Sequence, residues 1–186
     1  MLDSLIRSRR AYRALEPVEI PSEDIKRIAE LVSLSPSCMN NQPWRFVFVQ
    51  NPTVLQSVFS ALTRGNAWAK NASMIVAVHS EASLDCQISG RDPYFLFDTG
   101  MATAYLILLL SEMGLVAHPI AGFDLNKTKE ILKIPKDNSL ITLIIVGKHT
   151  SEFPEEMSEK QRETEGRRPK RKSIKEFISF DTYSEI

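Results

Sequence analysis

Apolar residues recur at two different periods along this chain, and the switch between them marks out its elements. From Pro21 to Ser35, Ile25, Ile28, Ala29 and Val32 fall three or four apart, the spacing of one helical face. Ser22 is placed to cap this helix, and Glu23 and Asp24 suit the positive end of its dipole. Residues 2 to 9 read as a shorter helix and residues 53 to 63 as another. The runs RFVFVQ (45–50), SMIVAVHS (73–80) and LITLIIVG (140–147) read as strands, the second apolar enough for the centre of a sheet. VAHPIAGF (116–123) is a short extended segment, after which Asp124 caps a helix reaching about Lys133.

The longest apolar run, TGMATAYLILLL (99–110), lies between Asp98 and Glu112. Asp92-Pro93 has the cap-then-proline order of a helix start, and Gly114 is a stop. The run falls short of the roughly 20 apolar residues a bilayer span needs. A soluble protein is expected, with this helix sandwiched in the core or in a dimer interface and no membrane contact. Asp98 near its start suits a structural hydrogen bond rather than acid–base work. Residues 150 to 172 read as an exposed helix and linker. IKEFISFDTYSEI (174–186) then turns apolar again, and such a tail needs a surface to dock on, a second subunit being one option. Helices outnumber strands without regular alternation, so the class is α+β. A single domain spanning 1–186 is expected, with 150–186 as a charged linker and C-terminal extension.

Charge changes the picture locally rather than globally. The 23 basic and 23 acidic residues cancel, which gives no argument for nucleic acid. Yet Arg7, Arg9, Arg10 and Arg13 crowd one end, and Arg167, Arg168, Lys170, Arg171 and Lys172 crowd the other, behind a run of glutamates ending at Glu165. Guanidinium forks match phosphate oxygens, but the same cluster also suits a solvated cationic face. Neither GxGxxG nor GxxxxGK[ST] occurs, so a bound phosphate would be held mainly by side chains.

Candidate chemistry is sparse. The two cysteines, Cys38 and Cys86, have no metal-like spacing, so neither a disulfide framework nor a metal site is expected, and a reducing compartment such as the cytoplasm is the default. His79, His118 and His149 are scattered and read as structural. Ser37 and Ser89 lack a nucleophile-elbow context, and Cys38 reads as a small packing or ligand-lining residue. No side-chain constellation for catalysis emerges, so in an enzyme a bound cofactor would carry the chemistry. The loop SPSCMNNQPW (35–44) supplies hydroxyls and amides at Ser37, Asn40 and Gln42, stiffened by Pro36 and Pro43. It fits a well-capped connector and a ligand-lining loop equally, with Trp44 as the first core residue of the next strand.

Taken in order, these segments resemble the FMN-dependent nitroreductase family. SRRAYRAL, an amphipathic helix and SPSCMNNQPWRFV are similar to its opening R-R-S-x-R stretch, helix and P-S-S-x-N-x-Q-P-W. GNAWAKNASMIVAV, FDTGMATAYLILLLSEMGLVAHPIAGFD, IPKDNSLITLIIVGK and KRKSIKEFI resemble its later segments in the same order. The resemblance implies a mostly antiparallel sheet flanked by helices, and a homodimer whose C-terminal extensions are exchanged and whose two FMN sites lie at the interface. It implies that Arg9, Arg10 and Arg13, with Arg171 and Lys172, hold the FMN phosphate and adjoining groups. Pro36, Ser37, Cys38, Asn40 and Gln42 of the other chain would line the flavin. Pro119, Ile120, Ala121 and Gly122 would run along the ring, with Asn66 nearby. It further implies ping-pong hydride transfer from NADH or NADPH through flavin N5 to a nitroaromatic, quinone or similar small-molecule acceptor, or a flavin-binding redox sensor without efficient turnover. Departures are Ala11 for the usual serine, Cys38 for the second serine, and Pro169 where a lysine often stands.

Overall fold

The computed structural model describes residues 2–183. The last three residues of the apolar tail, 184–186, and Met1 lie outside them. The elements in order are α1 (Leu2–Ser8), β1 (Leu15–Glu16), α2 (Ser22–Val32), β2 (Arg45–Val49), α3 (Pro52–Phe59), β3 (Met74–Ser80), α4 (Tyr94–Glu112), β4 (Val116–Ile120), α5 (Leu125–Leu132), β5 (Ser139–His149) and α6 (Glu159–Glu165).

β5 is the organising strand. It pairs antiparallel with β3 (Val76↔Ile144), with β4 (His118↔Ile145) and, at its end, with β1 (Leu15↔His149), while β2 adds to the far side of β3. Side chains alternate across a strand, so β3 and β5 each feed two cores. Ile75, Ala77, Leu143 and Ile145 pack with residues of α3 and with Trp68 on one face. Met74, Val76, Val78, Ile144 and Val146 pack with α2 and α4 on the other. Strands covered on both faces must be apolar at every position, as the run from Leu143 to Val146 is.

α4 begins after Pro93 and ends where Gly114 takes the left-handed φ of +76°. Phe95, Asp98, Thr99, Ala102, Leu106 and Leu110 are its buried face. It is long and apolar enough to cross a membrane; here its buried face lies against β3 and β4, and about a third of it is buried. Leu96, Phe97 and Tyr105 remain exposed on its opposite side.

Three details differ from the sequence reading. Ser22 does not cap α2; it is the first helical residue, and the carbonyl of Pro21 accepts from the N–H groups of Asp24 and Ile25. α3 stops at Phe59 rather than residue 63, because the chain around Asp124 recruits the next carbonyls: Lys127 Nζ donates to Ser60 O and Asp124 N to Ala61 O. The cysteines, expected unpaired, form a Cys38–Cys86 disulfide with Cα atoms 6.2 Å apart. The reason is register. Arg45 pairs with His79 in the β2–β3 ladder. Cys38 lies seven residues before the first and Cys86 seven after the second, so the outgoing chains meet again. In the chain-entropy account, a cross-link spanning 48 residues stabilises by about 4 kcal/mol.

Two expectations follow from this core. Leu143→Ala removes a fully buried side chain from the central strand and should cost about 3 kcal/mol, read as a shift of the urea midpoint at constant slope. Burial lowers the pKa of both His79 and His118, in His118 against the opposing pull of its hydrogen bond to the Tyr12 carbonyl. The unfolded chain therefore binds more protons than the folded one as pH falls below about 6.5. Stability should drop from that point downward, by at most about 1.4 kcal/mol per pH unit for each histidine. Urea midpoints at pH 7.5 and 5.5 measure this, and His118→Gln should shrink the difference.

Candidate functional site

The two arginine clusters, distant in sequence, meet. Arg9, Arg10, Ala11 and Arg13 line one wall of a cavity of about 290 Å³, and Arg167, Arg168, Pro169 and Arg171 line the other, with His118, Thr164 and Glu165 between. The junction is built by hydrogen bonds. Arg168 Nη2 donates to the carbonyls of Arg7 and Arg9. Arg10 Nη2 donates to Glu165 O (3.1 Å) and Arg167 O (2.6 Å), and its guanidinium sits 5.0 Å above the Tyr12 ring.

Glu165 is the one acid among these lining residues, and it is 4% exposed. Its Oε1 accepts from the backbone N–H groups of Arg13 (2.6 Å) and Ala14 (2.8 Å), and Oε2 lies 4.0 Å from Arg13 Nη1. One buried carboxylate does not balance the surrounding cations. Burial, followed by the neighbouring Arg168, Arg171 and Arg10, lowers the pKa of Arg9. Guanidinium groups repelling one another around a concave space form an anion site, because a bound anion relieves the repulsion.

The Ser35–Trp44 loop is a rigid piece of backbone set against α4 and β3. Met39, Asn40 and Gln42 have φ of 49°, 59° and 51°. Asparagine tolerates that region, whereas Met39 and Gln42 each cost on the order of 1 kcal/mol there. Ties from outside and within hold the conformation. Asp98 Oδ2 accepts from Cys38 N at 2.6 Å, Ser37 Oγ accepts from Gln42 N at 3.0 Å, and Ser80 Oγ donates to Pro43 O at 2.7 Å. Gln42 Nε2 donates to Asn40 O at 3.1 Å. Pro36, Asn40 and the neighbouring Met39 are exposed, and Trp44 is buried in the α2–α4 core as its position suggested.

Beyond β4 the chain makes a tight turn. Three donors converge on the Gly122 carbonyl: Thr63 N, Thr63 Oγ1 and Asn66 Nδ2, at 2.9–3.0 Å. A Cβ at Gly122 would lie 2.6 Å from both Asn66 Nδ2 and Thr63 Oγ1, so only glycine permits this clamp. Asn66 thus acts on the turn, through its carbonyl. Pro119 and Ala121 are exposed, while the Ile120 side chain is in the core and its carbonyl accepts from Thr142 Oγ1.

Of the residues singled out in the sequence, Arg9, Arg10, Arg13 and Arg171 share the cavity, and Lys172 is exposed outside its lining. Pro119–Gly122 continue from His118, which lines that cavity. Pro36, Ser37, Cys38, Asn40 and Gln42 belong to a separate surface over α4 and do not line it. Sequence reasoning missed His118 and Glu165 as cavity residues. His118 carried a signal only in its place beside Pro119; Glu165 looked like one of a solvated acidic run.

The sequence pattern described as the nitroreductase family matches residues 6–148. A Stenotrophomonas maltophilia protein, provisionally named NADH dehydrogenase/NAD(P)H nitroreductase, is 29% identical over 69% of this chain and 75% of its own. An iodotyrosine deiodinase of Thermotoga neapolitana is 26% identical over 79% of this chain and 88% of its own. A crystal structure described as an oxidoreductase containing FMN superposes with a TM-score of 0.84 at 27% identity, covering 99% of this chain and 93% of that one. The chain, with its antiparallel sheet and flanking helices, belongs to the nitroreductase family.

Proposed function

We propose that this protein is an FMN-dependent NAD(P)H oxidoreductase that works as a homodimer and reduces a nitroaromatic, quinone or similar small-molecule acceptor. The observation that carries this reading is the convergence of Arg9, Arg10, Arg13 and Arg171 on one cavity. A phosphate monoester bears close to two negative charges near neutral pH and offers three acceptor oxygens. A cavity walled by guanidinium forks from both ends of the chain has the charge and the donors for that group. The FMN content printed for the structurally similar oxidoreductase supports the same assignment.

The residues divide the work. Arg9, Arg10, Arg13 and Arg171 hold the phosphate, with Lys172 adding charge from outside the cavity. Glu165 keeps Arg13 and the backbone at Ala14 in place. Pro119, Ile120, Ala121 and Gly122 present a fixed backbone edge to the ring, held by Asn66 and Thr63. Pro36, Ser37, Cys38, Asn40 and Gln42 serve the site of the other subunit. FMN held by these residues would supply the hydride and electron transfer between a nicotinamide donor and the acceptor, so no side-chain acid or nucleophile would be required. The exposed Leu96, Phe97 and Tyr105 on α4, and Ile174, Phe177, Ile178 and Phe180 on the tail, are the surfaces a second copy would cover.

The purified protein, as isolated or after reconstitution, should show the visible spectrum of bound FMN. Anaerobic NADH or NADPH should bleach it, and a quinone or nitroaromatic should restore it over repeated cycles. A chain that FMN cannot reconstitute overturns the assignment, and bleaching without reoxidation by any acceptor reduces it to a flavin-binding sensor.

Arg9→Ala and Arg171→Ala each remove a charge-assisted contact of about 1.5–3 kcal/mol. FMN affinity should fall about ten- to a hundredfold in each variant. Riboflavin, which lacks the phosphate, should bind native and variant proteins alike. Fluorescence quenching titrations measure both ligands.

A further inference from the structure

The Cys38–Cys86 bond lies apart from the arginine cavity, whose lining includes neither cysteine. Both cysteines are partly exposed, and a cleft of about 390 Å³ runs up to Cys86, lined also by Gln87, Asp92 and Phe95. Asn41 Nδ2 lies 3.4 Å from Cys86 Sγ and 3.2 Å from Asp85 Oδ1. Both sulfurs and a carboxylate oxygen of Asp85 lie within 4.8 Å of one another. Asp85 and Asp98 are 8% and 0% exposed, and Asp85 Oδ2 and Asp98 Oδ1 are each buried without a hydrogen-bond partner.

We propose that Cys38–Cys86 is a redox-active pair, opened and closed by thiol–disulfide exchange with an external dithiol, and that its state sets how firmly the Ser35–Trp44 loop is held. Access favours this over a purely structural cross-link, since an attacking thiolate can reach Cys86 through the cleft. Loop conformation favours it as well. The disulfide is anchored beside Met39, Asn40 and Gln42, whose left-handed backbone needs external ties to persist. Opening the bond removes the covalent tie and leaves the Asp98 contact to Cys38 N as the neighbouring one.

The exchange balances. One thiolate of the dithiol attacks Cys86 Sγ, breaking the Sγ–Sγ bond and releasing Cys38 as a thiolate. The second thiolate attacks the dithiol's own sulfur in the mixed disulfide and releases Cys86. The dithiol is oxidised to a disulfide, Cys38 and Cys86 are reduced by two electrons, and the two protons of the dithiol end on the two cysteine thiols. Asp85, whose carboxylate lies beside both sulfurs, and Asp98, which accepts from Cys38 N, are placed to relay those protons; burial first, and then the charge of Asp85, raises the pKa of Asp98 against the pull of the Cys38 N–H.

These are the chain's only two cysteines, so alkylation reads their state directly. The full-length native protein is equilibrated with reduced and oxidised dithiothreitol in varying ratio, then trapped with a maleimide and weighed by mass spectrometry. The expected result is a reversible passage between zero and two labelled thiols. A bond that stays closed under excess reduced dithiothreitol until urea is added, or that fails to close again, overturns the proposal. Hydrogen exchange of residues 36–43, measured without FMN, should quicken at least threefold on reduction; unchanged protection overturns the link to the loop. Asp85→Asn should slow the opening at least threefold at pH 7, and an unchanged rate, or a native rate that tracks only the ionisation of dithiothreitol, overturns the proton relay. A consequence for the cofactor rests on the function proposed above: the reduced chain should bind FMN at least threefold more weakly than the oxidised one. Equal affinities overturn that consequence. Failure to bind FMN in either state overturns the cofactor reading instead, and labelling and hydrogen exchange still decide the cysteine pair.

Discussion

The buried carboxylate of Glu165 ties the two ends of this chain together. It accepts from two successive backbone N–H groups, at Arg13 and Ala14, and faces the Arg13 guanidinium. A charge with so little exposure persists only when donors replace its lost water. The N-terminal arm supplies them to the end of α6, so neither can move away without stranding the carboxylate. The same contact draws Arg9 and Arg10 toward Arg167, Arg168 and Arg171 and makes one cavity out of two basic segments. Together with the Arg10 and Arg168 hydrogen bonds to the opposite segments, this acid holds together a site dominated by cations without neutralising it.

β5 gives that junction its footing. β1 pairs with the end of β5, and Thr150 N donates to Ala14 O just beyond the pairing. His118 on β4, itself paired to β5, reaches the cavity from below. The sheet is stiff because both its faces are filled, and the positions of the arginines inherit that stiffness.

Much of this was legible in the sequence because it depends on local pattern. Alternation and apolar density marked β3 and β5, and the order Asp92-Pro93 … Gly114 bounded α4 to within two residues. Asp98 was expected to make a structural hydrogen bond, and it accepts from Cys38 N. What escaped depends on pairing between distant segments. Glu165 resembles every other glutamate in its run until the fold places Arg13 and Ala14 above it. β1, two residues long, has no periodicity to detect. Ser22 has the chemistry of a cap, but the Pro21 carbonyl already serves the first turn.

The cysteines show the same limit most sharply. Forty-eight residues of separation carry no signal by themselves. Once Arg45 is set opposite His79, equal counts outward along both chains bring Cys38 to Cys86. The register of one antiparallel ladder thus decides whether residue 38 is a lone small side chain or half of a disulfide. In this chain it is the latter, and Asp98, which fixes the loop backbone at Cys38, and Asp85, which lies beside the two sulfurs, are both buried. The disulfide and the backbone that carries Ser37, Asn40 and Gln42 thus meet at Cys38, where a covalent tie and the Asp98 hydrogen bond act on the same residue.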